Sequence, residues 1–346
     1  MGKHLSRRNF LKLGAASLAG LAFRPYFEED AGDDTGDIIR VASKSVSVYS
    51  QPWDKSRIRF QRFRDEIVHV YEIVNSKYGP GYNPIWYRVW GGYIHSAYVQ
   101  RVRLQLNPLL TSIPEKGQLA EVSVPFSQAM RYDRYTGWTP VYRLYYQSAQ
   151  WITALDEGPD GEPWYRLYDE LLRSEYHLAA AHLRPIQPEE VSPISADVPP
   201  EEKRIEVNLD TQMLKAFEGE HVVLETRISS GMVRRPGVSL EDSTETPRGT
   251  FHVQSKMPSK HMGDGNLTSD LEAYEYPGVP WTSFFEPVVG IAFHGTYWHT
   301  NYGVPMSHGC INMRPEEAKW IYRWTTPPAP ITDVETRGMG TLVIVS

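Results

Sequence analysis

The sequence predicts a mainly β protein built from several small folded regions. Its 346 residues include 21 Tyr and 10 Trp, which favour strands, and 26 Pro and 26 Gly, which favour turns. Short segments that alternate apolar and polar residues recur along most of the chain, whereas helical spacing is convincing only from Arg314 to Trp324. At about 150 residues per domain, this length corresponds to two or three domains.

Charge and cysteine content exclude several functions. The formal net charge of −6 argues against a nucleic-acid protein that works by neutralising phosphates. Cys310 is the only cysteine, so neither a disulfide within the chain nor a multi-cysteine zinc site can form. The 41% of hydrophobic and 23% of charged residues are ordinary for a globular protein.

The first 27 residues are typical of an export signal. A basic start precedes an apolar run from Leu11 to Phe23 that is shorter than the roughly 20 residues of a membrane-spanning helix. Ser6–Lys12 (SRRNFLK) resembles the twin-arginine signal, which implies export of the folded protein to the cell envelope by the Tat machinery. An uncleaved signal would tether the protein to the membrane. A bystander thiol is a liability outside the cytoplasm, so we expect Cys310 to be reactive, with no disulfide-linked partner.

Two regions of short strands follow an acidic, turn-rich tether at residues 28–37. They span residues 38–106 and 118–186, and each contains a Trp-Tyr-Arg segment, at Trp86 and Trp164, that leads into a second strand-like segment. We interpret them as tandem copies of one fold. They resemble bacterial SH3-like modules, which are small β-barrels, and this implies a wall-binding or spacer role. Alternatively, the aromatic residues only fill the cores of two small barrels.

The clearest boundary in the chain is the Pro- and Glu-rich segment 187–203, which predicts an extended linker. Residues 204–346 then form the last domain. Alternation predicts a three-stranded meander over residues 204–209, 213–217 and 221–228. Pro315 at the first turn supports the helix that ends at Trp324, and residues 340–345 predict a buried strand.

Three histidines lie close to the only cysteine in the sequence, in the stretch from His294 to Cys310. A thiol nucleophile needs a base to remove its proton, and imidazole is the usual one. His294 follows an apolar run and so ends a predicted strand, while Gly309 permits an unusual backbone angle before Cys310. A metal site made of His294, His299, His308 and Cys310 is an alternative, but His308 and Cys310 are poorly spaced for two tetrahedral ligands.

These residues resemble the signature of the YkuD-type L,D-transpeptidases. The matching pieces are His294–Thr296 (HGT) and Ser307–Met313 (SHGCINM), supported upstream by Thr246–Phe251 (TPRGTF) and Ser229–Gly231 (SSG). The resemblance covers residues 203–346. It implies a β-sandwich catalytic domain with one short helix after the catalytic cysteine.

The resemblance also implies a role for each motif residue. Cys310 would be the nucleophile, His294 the general base, and the backbone carbonyl of Gly295 the group that orients the imidazole. The N–H groups of Gly309 and Cys310 would form the oxyanion hole. A lid over residues 257–286 would cover the substrate, with Gly263, Gly265 and Gly278 permitting movement. The residues with an implied substrate-binding role are Ser307, His308, Asn312, Tyr297, Trp298, Tyr274 and Tyr276.

The implied reaction is acyl transfer between peptidoglycan stem peptides, with release of D-alanine and formation of a 3→3 cross-link. It needs no cofactor and no metal, because the oxyanion hole activates the carbonyl. Acylation of Cys310 by carbapenems is implied as well. The sequence is also compatible with three alternative functions: an L,D-carboxypeptidase, a cysteine peptidase acting on wall peptides, and a non-catalytic wall-binding protein.

Overall fold

The computed structural model describes residues 37–232 and 244–346. The predicted export signal at residues 1–27, and all of the predicted tether except Asp37, lie outside these residues. The described part of the chain contains 25 strands and one α-helix, which confirms the mainly β class. None of the helices in these two ranges is long and apolar enough to cross a membrane.

The first module has two antiparallel sheets. Its strands are β1 (Ile38–Val41), β2 (Ser45–Tyr49), β3 (Ile58–Phe63), β4 (Ile67–His69), β5 (Glu72–Asn75), β6 (Ile85–Val89), β7 (Gly92–His95) and β8 (Val99–Val102). The sheet orders are β4-β1-β8 and β3-β2-β7-β6-β5. Alternating apolar residues such as Val46, Val48 and Ile94 are buried between the sheets, as period-two patterning requires.

The second module is one seven-stranded antiparallel sheet. Its strands are β9 (Gln118–Val122), β10 (Phe126–Asp133), β11 (Gly137–Tyr145), β12 (Ala149–Glu157), β13 (Pro163–Asp169), β14 (Ser174–Ala179) and β15 (Leu183–Pro185). The order in the sheet is β11-β10-β14-β13-β12-β9-β15.

The two modules share a sequence of elements around their Trp-Tyr-Arg segments. In the first, hairpin β6–β7 is followed by a 3-10 turn at Ser96–Tyr98 and by β8; in the second, hairpin β13–β14 is followed by a 3-10 turn at Ala180–His182 and by β15. This order supports the predicted repeat. The described strands do not close into a ring in either module, so the SH3-like assignment stays a prediction.

The segment predicted as an extended linker is instead folded against its neighbours. It contains 3-10 turns at Pro188–Val191 and Pro200–Glu202. Val191 is buried in the core of the last domain, and Glu190 pairs with both Arg184 and Lys319. The proline-rich composition suggested stiffness, but a buried side chain and paired charges hold the segment in place.

The last domain stacks two five-stranded sheets. Its elements are β16 (Lys203–Asn208), β17 (Met213–Glu218), β18 (His221–Arg227), β19 (Gly249–His252), β20 (Ser255–Gly263), β21 (Glu275–Glu286), β22 (Ile291–Gly295), β23 (Ile311–Met313), α1 (Pro315–Trp324), β24 (Thr336–Arg337) and β25 (Leu342–Val345). The sheet orders are β18-β17-β16-β25-β19 and β23-β22-β21-β20-β24. The predicted meander, helix and final strand are confirmed. The final strand pairs in parallel with β16, which the sequence pattern did not indicate.

The position of α1 follows from its sequence. Pro315 occupies the first turn, where its missing N–H costs no helical hydrogen bond. Glu316 and Glu317 follow it, and the positive end of the helix dipole stabilises their negative charges. Ala318, Ile321 and Tyr322 form the buried stripe, which contacts β21 and β22. Because α1 directly follows β23, it fixes the strand that carries the cysteine motif.

Candidate active site

Strand pairing brings Cys310 next to the strand that carries His294. β22 and β23 pair in parallel, with His294 opposite Asn312 and Phe293 opposite Ile311. Side chains of paired residues point to the same face, and side chains alternate along each strand. Cys310 lies directly before β23, and its contacts with the backbone of Gly290 and Ala292 place it beside the start of β22.

His294 is held as a neutral base. Its side chain is buried, and its Nδ1 lies 3.1 Å from the carbonyl oxygen of Gly295. That contact is the one the predicted role of Gly295 requires, because Nδ1–H donates and leaves the Nε2 lone pair free. Burial lowers the pKa of His294 to about 4, against a smaller opposing effect of the Gly295 hydrogen bond. The imidazole is therefore ready to accept a proton at neutral pH.

The thiol of Cys310 is also neutral at rest. Its Sγ donates to the carbonyl oxygen of Gly290 at 3.5 Å. Burial raises the pKa of Cys310 to about 11, and a hydrogen bond from the backbone of Ala292 opposes that shift. The nucleophile must therefore lose its proton during attack and not before it.

Two upstream motifs hold the loop that carries Cys310. The Thr246 hydroxyl donates to the Gly309 carbonyl at 2.7 Å and accepts from the Gly231 N–H at 2.8 Å. Ser307 lies beneath the same loop: its hydroxyl donates to the Cys310 carbonyl at 2.5 Å. The TPRGTF and SSG segments thus meet the cysteine motif in space, as the resemblance implied.

The structure corrects two predicted roles in this loop. The Gly309 N–H, predicted to contribute to the oxyanion hole, donates to the Ser307 hydroxyl at 3.1 Å and is not free. Ser307 itself was predicted to bind substrate, but it is 6% exposed and its hydroxyl hydrogen-bonds to the Cys310 carbonyl within the loop. The small side chain closes a tight turn, a role that sequence spacing does not reveal.

A second histidine lies behind the catalytic pair. The Asn301 N–H donates to Nδ1 of His299 at 3.2 Å, so Nε2 carries the ring proton. The Asn312 amide lies 2.8 Å from Nε2, and its oxygen is therefore the atom that accepts this proton. Burial, with His294 nearby, lowers the pKa of His299 to about 3. His299 and Asn312 are thus a buried support, and Asn312 does not face substrate as predicted.

The metal alternative finds no support in this arrangement. His299 already uses both ring nitrogens in hydrogen bonds within the protein. Over residues 37–232 and 244–346, no three His, Cys, Asp or Glu side chains are grouped as metal ligands would be.

Four of the predicted substrate-binding residues form a continuous aromatic wall. Tyr274 and Tyr276 have ring centroids 5.4 Å apart, Tyr276 lies 4.5 Å from Trp298, and Tyr274 lies 5.2 Å from His308. Trp298 in turn lies 5.8 Å from the ring of His294. Tyr274 and His308 are exposed, so the wall presents rings to solvent beside the catalytic pair.

Tyr297 does not join this wall. It is 3% exposed, and its hydroxyl donates to the carbonyl of Pro277 at 3.1 Å. Its ring packs on Tyr145 of the second module, with centroids 5.7 Å apart. Tyr297 therefore supports the loop after His294, which corrects its predicted contact with substrate.

The predicted lid is the hairpin β20–β21, and the second module holds it. His261 Nδ1 lies 2.8 Å from Asp169, and its Nε2 lies 2.8 Å from Glu275. Lys260 pairs with Glu170 at 2.9 Å. Burial lowers the pKa of His261, but the hydrogen bonds and charges of the two carboxylates outweigh it and raise that pKa overall.

Gly278 was predicted to permit lid movement, but it serves packing. Its φ is +72°, and a Cβ there would lie 2.0 Å from Nε2 of Gln150 and 2.4 Å from the carbonyl oxygen of Ala149. Only glycine allows β21 to approach the second module this closely.

The first module braces the loop between the two catalytic residues. The guanidinium of Arg40, fully buried, donates to the Tyr297 carbonyl at 2.7 Å and pairs with Asp65 at 3.0 Å. The Thr300 N–H donates to the Ala97 carbonyl at 2.9 Å. The contacts of Arg40 and Ala97 with the loop after His294 could not be predicted from the sequence, because they join residues more than 200 positions apart and leave no local signal.

Comparison with known proteins shows what the last domain is similar to. Residues 202–345 match the family model of the YkuD L,D-transpeptidase catalytic domain. L,D-transpeptidase 1 of Mycobacterium tuberculosis is 33% identical over 99 residues, which are 26% of this chain and 37% of that protein. The chain thus spans little more than a third of this curated relative.

Two L,D-transpeptidases of known structure are similar to part of the chain. An L,D-transpeptidase from Mycobacterium smegmatis is 25% identical, with 42% of this chain and 58% of that one covered and a TM-score of 0.32. The catalytic domain of an Enterococcus faecium L,D-transpeptidase is 28% identical, with 42% and 98% covered and a TM-score of 0.30.

Proposed function

We propose that this protein cross-links peptidoglycan stem peptides through a Cys310 acyl-enzyme, because residues 202–345 match the family model of the YkuD L,D-transpeptidase catalytic domain. The observation that carries the proposal is the placement of Cys310 beside the start of β22, the strand that carries His294, with the Gly295 carbonyl on Nδ1 of the imidazole. A non-catalytic wall-binding protein would not need both groups in this arrangement.

In the first step, Sγ of Cys310 attacks the carbonyl carbon between the third residue and the terminal D-alanine of a tetrapeptide stem. Nε2 of His294 takes the thiol proton and then delivers it to the departing amine. The C–N bond breaks, D-alanine leaves, and a thioester remains on Cys310. We assign the Cys310 N–H as the donor to the oxyanion, because the Gly309 N–H already donates to the Ser307 hydroxyl.

In the second step, the side-chain amine of another stem's third residue attacks the thioester. His294 takes a proton from this amine and returns it to the departing thiolate. The product is a 3→3 cross-link, and the free enzyme is restored. Attack by water instead would make the same site an L,D-carboxypeptidase.

The aromatic wall is the proposed contact surface for the stem. Tyr274, Trp298 and His308 line the approach to Cys310 and expose ring surface to solvent. Rings at this place bury the aliphatic parts of a peptide and exclude water from the thioester. That exclusion favours the amine over water in the second step.

The direct test is incubation of the purified mature protein with a disaccharide that carries a tetrapeptide stem, followed by mass spectrometry. A dimer lighter by one D-alanine and absent in Cys310→Ala supports transfer. A monomer lighter by one alanine supports carboxypeptidase activity. A carbapenem should add its mass to the wild type only. No product and no adduct would contradict an enzymatic role.

We also propose export through the twin-arginine pathway, on the basis of Ser6–Lys12. Fusion of residues 1–37 to a folded reporter should direct it across the membrane. Replacing both Arg7 and Arg8 by lysine should retain the reporter inside the cell while keeping the charge. Continued export of that variant would contradict the proposal.

A further inference from the structure

The second module carries an open cleft that the proposed chemistry does not use. The cleft has a volume of about 830 Å³ and lies on the outer face of strands β12, β13 and β14. Residues that alternate with its lining, such as Tyr165, Leu167 and Tyr176, point inward and fill the core of the module. Lining residues that bear on its chemistry are Tyr132, Trp138, Asp156, Arg166, Arg173 and His177.

An aromatic platform forms one side of this cleft. Trp138 is half-buried on hairpin β10–β11, with its centroid 5.2 Å from Tyr132 and 5.0 Å from His177. The His177 ring stands edge-on to Trp138 at 85°, and this contact holds the indole in place. Tyr132 is 55% exposed, so ring surface is available to a ligand.

Fixed polar groups form the floor. Asp156 accepts from Nε of Arg166 at 2.8 Å and lies 3.0 Å from Nε2 of His177. His177 is 9% exposed, and its Nδ1 has no hydrogen-bond partner. Arg131 and Arg173 also line the cleft and are solvent-exposed, so their guanidinium groups are available to a ligand at its rim. The cleft therefore offers fixed acceptors and donors on its floor, from Asp156 and Arg166, and freely accessible donors at its rim.

The lining selects a class of ligand. It holds three arginines and three carboxylates, so neither a polyanion nor a polycation fits it. It is also too polar for a purely apolar ligand. A neutral ring with hydroxyl groups on its edge and C–H groups on its face matches both the platform and the fixed donors and acceptors. A pyranose has that chemistry.

The cleft also adjoins the lid. Arg173 follows the turn at residues 169–172, where Asp169 contacts His261 of β20. Leu171 and Leu172 of this turn lie against Gly265 of the lid loop. A polymer lying in the cleft thus continues toward the hairpin that covers Cys310.

We propose that this cleft binds the glycan strand of the polymer whose stem peptides enter the active site. The inference rests on the proposed function, since that function supplies the attachment of stem to strand. The pyranose stacks on Trp138 and Tyr132, and its hydroxyl groups bond the arginines and carboxylates of the floor and rim. The second module is then a substrate-holding part of the enzyme.

The test uses the full mature chain with Cys310→Ala, so that no turnover occurs. Its probe is glycan strands from which an amidase has removed all stem peptides and whose freed lactyl carboxyl groups are then amidated, so that the strand stays neutral. Binding is followed by calorimetry. Trp138→Ala should weaken binding about tenfold, as loss of one stacked ring predicts. Arg173→Ala, on an exposed turn, should weaken it without a folding defect. The matched control is Trp90→Ala, since Trp90 is 67% exposed on the first module.

Each outcome decides a separate point. Binding that falls in both cleft variants and not in Trp90→Ala supports the inference. Binding of free stem peptides instead of stripped strands would overturn it, and so would absence of strand binding by a protein that still cross-links stems. Strand binding without any turnover by the wild type would overturn the proposed function and leave the cleft assignment standing.

Discussion

At the scale of single residues, the notable feature is that both reacting groups are neutral at rest. Burial lowers the pKa of His294 to about 4 and raises that of Cys310 to about 11. A preformed thiolate–imidazolium pair would need these values in the reverse order. For the proposed acyl transfer, this order implies that proton transfer accompanies attack on the substrate carbonyl, with the oxyanion donor stabilising the charge that develops.

This arrangement predicts the pH dependence of the reaction. The base of the free enzyme must be unprotonated, so kcat/KM should fall on acidification through about pH 4, the pKa of His294, and not through its ordinary 6.5. The measurement is kcat/KM across the acid range, with circular dichroism as a check on folding. An acid limb near 6.5 with the fold intact would show a solvent-exposed imidazole and contradict the structure.

His261 predicts a second, opposite pH effect. Its folded pKa is raised, so the stability it contributes is full below the unfolded value of 6.5 and is lost as pH rises through the higher folded value. Asp169, Glu170, Lys260, Glu275 and Tyr142 are the charged and titratable groups around it.

The variant that tests this effect is His261→Gln. It should lower unfolding stability by about 3 kcal/mol at acid pH, since it leaves buried carboxylates without a cation. It should also abolish the alkaline decline in Tm between neutral pH and the folded pKa. His221→Gln, at an exposed position, is the control. A wild-type alkaline decline that persists in His261→Gln would assign the effect elsewhere.

At the scale of elements, hairpin β20–β21 is the part of the catalytic domain that packs against the second module. It carries Tyr274 and Tyr276 toward the cysteine, while its outer side contacts the second module through His261, Lys260 and Gly278. A hairpin held on both sides is a fixed wall more than a mobile lid. Its position is set by packing between strands of different modules.

Gly278→Ala tests this packing. The new Cβ would meet Gln150 and the backbone of Ala149, so β21 must separate from the second module, and we expect a loss of about 2 kcal/mol or more. Gly290→Ala is a matched control, because Gly290 also has positive φ, at +85°, but no atom within 4 Å of the added Cβ. Urea unfolding gives both values. Equal losses would attribute the effect to backbone strain alone.

At the scale of the whole molecule, three regions converge on the loop after His294. Arg40 of the first module pairs with Asp65, lies 4.0 Å over the Tyr145 ring of the second module, and donates to the Tyr297 carbonyl of the catalytic domain. Cores are shared as well: Leu119 and Trp151 of the second module belong to the same buried cluster as Phe285 and Phe293. The modules are structural parts of the active site.

Arg40→Lys should reveal this dependence. A lysine keeps the charge but cannot form the planar fork to Asp65, Gln100 and the Tyr297 carbonyl. We expect kcat to fall about tenfold or more from misplacement of the loop, with the acid limb of the pH profile unchanged. Arg88→Lys, on the exposed face of the same module, is the control. Full activity of Arg40→Lys would contradict a bracing role.

Much of this organisation could be predicted from sequence. The meander of β16, β17 and β18, the helix α1 and the pair Cys310 and His294 all follow from local patterns or short motifs. The predictions were wrong where a residue packs or hydrogen-bonds within the protein instead of contacting substrate or permitting movement. Tyr297, Ser307 and Gly278 were assigned to substrate or to motion, and each instead makes a packing contact or a buried hydrogen bond.

The sequence by itself determined the mainly β class, the helix α1 and the final strand, and it singled out Cys310 and His294 as the proposed nucleophile and base, because periodicity and motif spacing are local properties. Only the tertiary structure decided that β22 and β23 lie in parallel register, that both modules pack on the catalytic domain, and that Arg40 and His261 are buried among its loops. Those facts depend on contacts between residues far apart in the chain. The free energy that stabilises these contacts comes from apolar surface buried between the modules and from pairing of desolvated charges. No local segment of the sequence encodes either.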